Sequence, residues 1–173
     1  HGAFDLAYFG CIPNLTVASP LDERELRNLL YTALQSGVPF VVRYPRGKGE
    51  GTAWRDEAFE RLPIGRGRRL TEGDDMAVLT IGHYDLRFAR PLDEELLDEV
   101  GRRFERVVTV EDVVVRGGVG SAVRDLFDRR GYRTQVRSLG IPDDQFVEHG
   151  TPAELYAQCG FDEEGILRAI LER

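Results

Sequence analysis

Phe40-Val41-Val42-Arg43-Tyr44-Pro45-Arg46-Gly47-Lys48 begins as a run of β-branched and aromatic residues and stops abruptly at a proline and a glycine. Proline cannot donate to a sheet ladder and glycine permits a sharp turn, so a strand over Phe40–Tyr44 ends here. Two guanidinium groups, Arg43 and Arg46, stand at that end. Open α/β sheets bind ligands at the carboxyl ends of their strands, and arginine's planar fork of donors suits phosphate or carboxylate. The stretch predicts an anion-recognising strand end in an α/β protein.

Upstream, Leu15–Ala18 reads as a short strand, with Ser19 as an N-cap, Pro20 at the first helical position, and Asp22 and Glu23 loading the first turn. Leu26, Leu29, Leu30, Ala33 and Leu34 recur at the spacing of one helical face, and Gly37 closes the helix. The result is a β-α-β unit. Downstream, Gly47 to Arg69 dissolves into glycines, charges and a lone Trp54, which predicts an interdomain linker with a short helix around Asp56–Arg61. Trp54 either stacks on a ligand or anchors the linker onto a domain.

A second domain starts near Leu70. Met76–Ile81, Arg106–Val110 and Gln135–Leu139 read as its strands. One helix runs from about Leu92 to Val100 and stops at Gly101. Another opens at Gly118–Ser121, turns Val123, Leu126 and Phe127 inward and ends at Gly131. Thr151-Pro152-Ala153-Glu154 is a capping box for a helix ending at Gly160. Asp162 caps the last helix, with Ile166, Leu167, Ile170 and Leu171 on one face. The division expected is 1–50, a linker over 51–69, and 70–173.

One junction conflicts with this pattern. Ile81-Gly82-His83 ends a strand, yet Asp85-Leu86-Arg87-Phe88 looks like the next almost at once. A parallel crossover needs a dozen or more residues, and an Asn-Gly-type hairpin turn is missing here. The expectation is that a helix-bearing segment is absent between His83 and Tyr84. The chain also begins in mid-motif at His1, as a fragment or a processed product would.

Composition narrows the function classes. Of 173 residues, 42% are hydrophobic and 31% charged, a globular balance without a disordered signature. The net charge of −7 argues against sequence-independent nucleic-acid binding, and the basic cluster Arg66, Arg68 and Arg69 reads as a solvated strand face. No apolar run approaches the ~18 residues of a membrane span. Cys11 and Cys159 lie far apart and are expected to be reduced structural thiols of a cytoplasmic protein, with a cysteine nucleophile as the alternative. His1, His83 and His149 form no His-x-x-x-His metal pair, and His149 is expected to satisfy a backbone group. Gly117-Gly118-Val119-Gly120-Ser121 opens a helix, so its N–H groups either bind an anion or let the helix start close to a strand. Glu111 and Asp112 are either a paired acid–base site or hydrogen-bonding partners of that glycine turn.

Several strings together resemble the 1-deoxy-D-xylulose-5-phosphate synthase family. They are His1-Gly2-Ala3-Phe4-Asp5-Leu6, Cys11-Ile12-Pro13-Asn14, Ser19-Pro20 with Asp22-Glu23-Arg24-Glu25-Leu26, and Arg43-Tyr44-Pro45-Arg46-Gly47. Leu62-Pro63-Ile64-Gly65, Arg87-Phe88-Ala89-Arg90-Pro91-Leu92-Asp93, Thr109-Val110-Glu111-Asp112, Gly117–Ser121 and Leu139-Gly140-Ile141-Pro142-Asp143 continue the series in order. That family is similar to transketolase, uses thiamine diphosphate and Mg²⁺, and condenses pyruvate with D-glyceraldehyde 3-phosphate, releasing CO₂. Its product feeds isoprenoid, thiamine and pyridoxal synthesis.

The resemblance implies the end of a transketolase-type pyrimidine-binding domain followed by a transketolase carboxyl-terminal domain with a mixed, mostly parallel sheet. It also implies a cytoplasmic homodimer, with no nucleic-acid or membrane partner. No cofactor, metal or catalytic residue of the family transfers to this stretch, so the 173 residues alone are expected to be inactive. His1 matches the variable position after the family's active-site histidine. Arg46 matches the arginine that holds the acceptor aldehyde's phosphate, and Arg43 is expected to pair with an acid at the sheet. The alternatives are transketolase itself, the β subunit of a 2-oxoacid dehydrogenase, or a free-standing anion- or partner-binding module.

Overall fold

In the computed structural model the described residues are 2–45, 47–49, 51–81 and 86–172. In chain order the elements are α1 (Asp5–Phe9), β1 (Thr16–Ala18), α2 (Glu23–Ser36), β2 (Phe40–Val42), β3 (Ala77–Thr80), β4 (Phe88–Arg90), α3 (Glu94–Arg103), β5 (Arg106–Val114), α4 (Val119–Arg130), β6 (Gln135–Ile141), α5 (Pro152–Cys159) and α6 (Glu163–Leu171). Among the described residues these form two three-stranded sheets, ordered β2-β1-β4 and β3-β5-β6.

In the first sheet β1 and β2 run parallel, Val17 opposite Val41, as the β-α-β reading requires. The helix between them starts later than expected. Ser19 stays in extended chain because its N–H donates to the Arg87 carbonyl and its hydroxyl to the Arg43 carbonyl. The N-cap is Asp22, which accepts from the Glu25 N–H at 2.8 Å.

The buried face of α2 also differs from the expected apolar stripe. Glu25, Asn28, Leu29 and Thr32 are buried, whereas Leu30 is exposed and Leu34 is 84% exposed. The reason is the linker, which lies along this helix and needs polar partners. Leu62 N–H donates to the Thr32 hydroxyl at 2.8 Å, and the Arg27 guanidinium donates to the carbonyls of Trp54, Glu57 and Ala58. Those carbonyls are thereby committed, and 56–61 forms a turn and extended chain instead of the expected helix. Leu62 then closes a small core with Ala18, Leu29 and Phe88.

The second sheet is wholly parallel, with β5 at its centre. Val107 and Val108 face opposite layers, as neighbours on a strand must. Val107 joins Leu97, Val100, Val123, Leu126 and Phe127 beneath α3 and α4. Val108 and Val110 join Phe161 and Ala169 beneath α5 and α6. The first of these cores also takes in Leu6 and Val17, so the two sheets share one apolar interior.

Three further expectations are corrected. Gly101 lies inside α3, which runs on to Arg103. A Cβ at Gly101 would collide with the Tyr132 ring, so this glycine serves packing instead of termination. On α6, Ala169 is buried and Ile166 and Ile170 are partly buried, while Leu167 and Leu171 are exposed. The strands read as Arg106–Val110 and Gln135–Leu139 continue to Val114 and Ile141.

Thr151 forms the expected capping box with Glu154, and Gly160 ends α5 in the left-handed conformation. The segment expected to be absent between His83 and Tyr84 falls outside the described residues. Beyond that junction the chain does not return to the β3 edge. β4 instead pairs antiparallel with β1, with Val17 opposite Arg90, so the mixed pairing is in the first sheet.

Candidate functional site

Arg43 follows β2 directly and is held by both its main chain and its side chain. Its N–H donates to the Ala18 carbonyl at 2.8 Å, and its carbonyl accepts from the Ser19 hydroxyl at 2.9 Å. Its Nε donates to both carboxylate oxygens of Asp5 at 3.0 Å, and its Nη1 donates to Asp112 Oδ1 at 2.7 Å. The side chain is 12% exposed. Burial by itself would pull the guanidinium pKa down, but Asp112 and Asp5 outweigh it and the pKa is raised. The acid pairing expected for Arg43 is present, with two acids where the sequence suggested one. Their identities were not legible, because they lie 38 and 69 residues away.

Beyond Arg43 the chain leaves the sheet through Tyr44 and Pro45. A cleft of about 230 Å³ opens there, lined by Tyr44, Pro45 and Lys48 on one side and by Leu21, Asp22 and Leu26 on the other. It sits at the carboxyl ends of β1 and β2, the position expected of a ligand site in such a sheet. Arg46 lies outside the described residues, as does His1.

Glu111 and Asp112 are neighbours with different tasks. Asp112 serves Arg43. Glu111 is 1% exposed and accepts from the N–H groups of Val119 at 2.6 Å and Gly120 at 3.0 Å. The helix N-terminus that could have received an external anion is thus occupied by the chain's own carboxylate. A Cβ at Gly118 would overlap that carboxylate, and one at Gly120 would strike the hydroxyls of Ser138 and Thr109. The glycine-rich segment is therefore a packing device. Removal from water pushes the Glu111 pKa up to about 7, against the two backbone donors that favour the charged form.

The remaining candidates have structural settings. Arg66 pairs with Asp93 and Glu95, and Arg69 with Glu72 and Glu99. Both lie in irregular chain and not on the expected strand face. Trp54 is half-buried, and its carbonyl is one of those that Arg27 binds. Cys11 is exposed, while burial pushes the Cys159 thiol up, away from thiolate chemistry. His149 is exposed. Among the described residues no group of three His, Cys, Asp or Glu side chains could hold a metal ion. No helix among them is long and apolar enough to cross a membrane.

Comparison with known proteins gives these features a context. The family described as transketolase, C-terminal domain, matches residues 80–166, and that described as transketolase, pyrimidine binding domain, matches residues 1–51. A 1-deoxy-D-xylulose-5-phosphate synthase of Bacteroides fragilis is 47% identical over 98% of this chain, and one of Bacteroides thetaiotaomicron is 48% identical over all of it. The chain spans about 30% of the length of each. The first alignment extends over 193 residues against the chain's 173, so it holds positions that this chain does not fill. A solved structure described as a split gene transketolase, inactive beta4 tetramer, superposes with a TM-score of 0.84 at 26% identity, covering 97% of this chain and 60% of the other.

Proposed function

The chain belongs to the transketolase carboxyl-terminal-domain family, and from that premise we propose that it is part of a 1-deoxy-D-xylulose-5-phosphate synthase. Such an enzyme is a thiamine diphosphate- and Mg²⁺-dependent transferase that condenses pyruvate with D-glyceraldehyde 3-phosphate, at the entry to isoprenoid synthesis. The observation that carries the reading is identity of 47–48% to two synthases across 98–100% of the chain. The split-gene transketolase reaches only 26%, which favours the synthase over transketolase itself. The reading includes a cytoplasmic homodimer.

The cofactor supplies the activated donor carbon, and the described residues do not fit it. They offer no trio of metal ligands, and the N-terminus of α4, suited in principle to a diphosphate, is filled by Glu111. What this chain contributes is acceptor binding. Arg46 grips the acceptor's phosphate at the strand end that Arg43 anchors, and a bidentate contact on that remote group orients the reacting carbonyl. This role rests on the Arg43-Tyr44-Pro45-Arg46-Gly47 match and on the cleft beside Tyr44 and Pro45.

The test is steady-state kinetics of the complete enzyme with thiamine diphosphate. Arg46→Ala raises the KM for D-glyceraldehyde 3-phosphate far more than that for pyruvate. Equal effects on the two substrates would remove the phosphate role.

A further inference from the structure

Pairing with β5 uses one edge of β3. The Ile81 N–H donates to the Val110 carbonyl, so Leu79 also turns its N–H and carbonyl towards β5, and Val78 and Thr80 turn theirs the other way. Among the described residues no strand pairs with that second edge. Its one filled position is the Thr80 carbonyl, which accepts the Leu86 N–H at 2.8 Å before the chain turns away to β4. The Val78 N–H and carbonyl and the Thr80 N–H have no partner among the described residues. Ala77-Val78-Leu79-Thr80 has neither a charge nor a proline, the usual means of blunting an open edge. A groove of about 360 Å³ lies against the strand, with residues 68–73 of the linker and Leu96 and Val100 of α3 among its walls.

The apolar surface at this edge is on one particular face of the sheet. Val78 stands opposite Val108 in the register, so both side chains are on the face that α5 and α6 cover. Val108 is buried there, whereas Val78 is 43% exposed, and α6 leaves Leu167 and Leu171 exposed as well. The connection from β5 to β6 passes through α4 on the other face. Crossovers between parallel strands are right-handed, so one that leaves β3 in the opposite direction across the sheet has its helix on the α5 and α6 face. That is the face on which Val78 lacks a cover.

The length of an occupant follows from the comparison with the synthases. The alignment with the Bacteroides thetaiotaomicron enzyme runs over 196 residues across all 173 of this chain, so some twenty of its positions have no counterpart here. A helix of about eleven residues, a strand of about five and two short connections also come to about twenty. Ile81 and Leu86, which flank the junction where the sequence breaks the crossover rule, both lie at the carboxyl end of β3.

We propose that the open edge of β3 is the acceptor for a helix–strand segment of about this length. Its strand runs parallel to β3, ends at the position Leu86 holds, and pairs with the free groups of Val78 and Thr80. Its helix is amphipathic and lays its apolar side over Val78 beside α6. Kinetics that removed the Arg46 reading would leave this acceptor role standing, because it rests on the alignment with the synthases and on no catalytic step.

The test titrates the 173-residue chain with a synthetic peptide. The peptide carries the Bacteroides thetaiotaomicron synthase residues that lie between those aligned with Ile81 and Leu86. Binding is followed by fluorescence anisotropy and by amide hydrogen exchange. The peptide binds saturably, a scrambled peptide of the same composition does not, and exchange of the Val78 and Thr80 amides slows about tenfold or more. Val78→Lys, which sets a charge on the surface to be covered, weakens binding about tenfold. A free peptide also has to be ordered on binding, so the same residues are inserted between His83 and Tyr84 as a second form. Protection of both amides in that form supports the acceptor role even where the free peptide binds too weakly to measure. Fast exchange at Val78 and Thr80 in the inserted form overturns it, as does peptide binding that Val78→Lys leaves unchanged. Protection that instead grows with the concentration of the chain alone, with a dimer in sedimentation, assigns the edge to a second copy and overturns the helix–strand occupant.

Discussion

The Glu111 carboxylate accepts the Val119 N–H at 2.6 Å, so the strand that ends at Val114 supplies the anion for the helix that follows it. Both oxygens are used, since Gly120 donates to the second. An interior carboxylate at a helix N-terminus satisfies two of the four orphan donors there and opposes the positive end of the helix dipole.

This arrangement makes stability depend on pH in an unusual direction. The Glu111 carboxyl has an ordinary pKa of 4.5, and burial lifts it to about 7 in the folded protein. The native state then holds a proton that the unfolded chain has released. The contribution is fully present below about pH 4.5 and is lost as pH rises through about 7. In urea unfolding, wild type should lose more stability than Glu111→Gln between pH 5 and pH 8. A constant difference between the two proteins across that range would contradict the linkage.

Arg27 fastens the linker to α2 through three carbonyls, and its guanidinium also lies 4.8 Å from the Phe59 ring centroid. Arg27→Ala should destabilise the protein by about 1.5–2 kcal/mol, the lower part of the range for hydrogen bonds to charged groups because the site is partly wet. The more specific readout is limited trypsin digestion. Cleavage after Arg55 and Arg61 should accelerate in the variant, and unchanged rates there would deny Arg27 its anchoring role.

α5 meets the core only through partly buried residues such as Tyr156 and Cys159, so its capping box shares the task of holding it helical. Thr151 and Glu154 exchange hydrogen bonds, which also hold the Glu154 carboxyl below its usual range. Thr151→Ala should speed hydrogen exchange of the amides in α5 while leaving β5 unaffected. Faster exchange throughout the second sheet would show that the helix is coupled to the core more tightly than its burial suggests.

Legibility in the sequence followed the range of the interactions. The caps at Thr151 and Asp162 and the β-α-β unit around Arg43 depend on neighbours within a few positions, and they were readable as such. The α2 face departs from its apolar spacing, which assumes a core on the leucine side, because the linker draws Asn28 and Thr32 inward through hydrogen bonds across some thirty residues. Glu111 stands near the glycine turn in the sequence, but only the geometry shows that it fills the helix end and leaves no anion site there.

For the strand end at Arg43, the sequence by itself determined that a strand stops before Pro45 and that two arginines stand near the stop, although the strand ends at Val42, two residues short of the expected Tyr44. Both follow from backbone chemistry, which is local. Only the tertiary structure decided that Arg43 is bound by Asp5 and Asp112 and therefore anchors the strand end. Which carboxylates meet a guanidinium depends on how two sheets pack, and no spacing along the chain encodes a contact made across 69 residues.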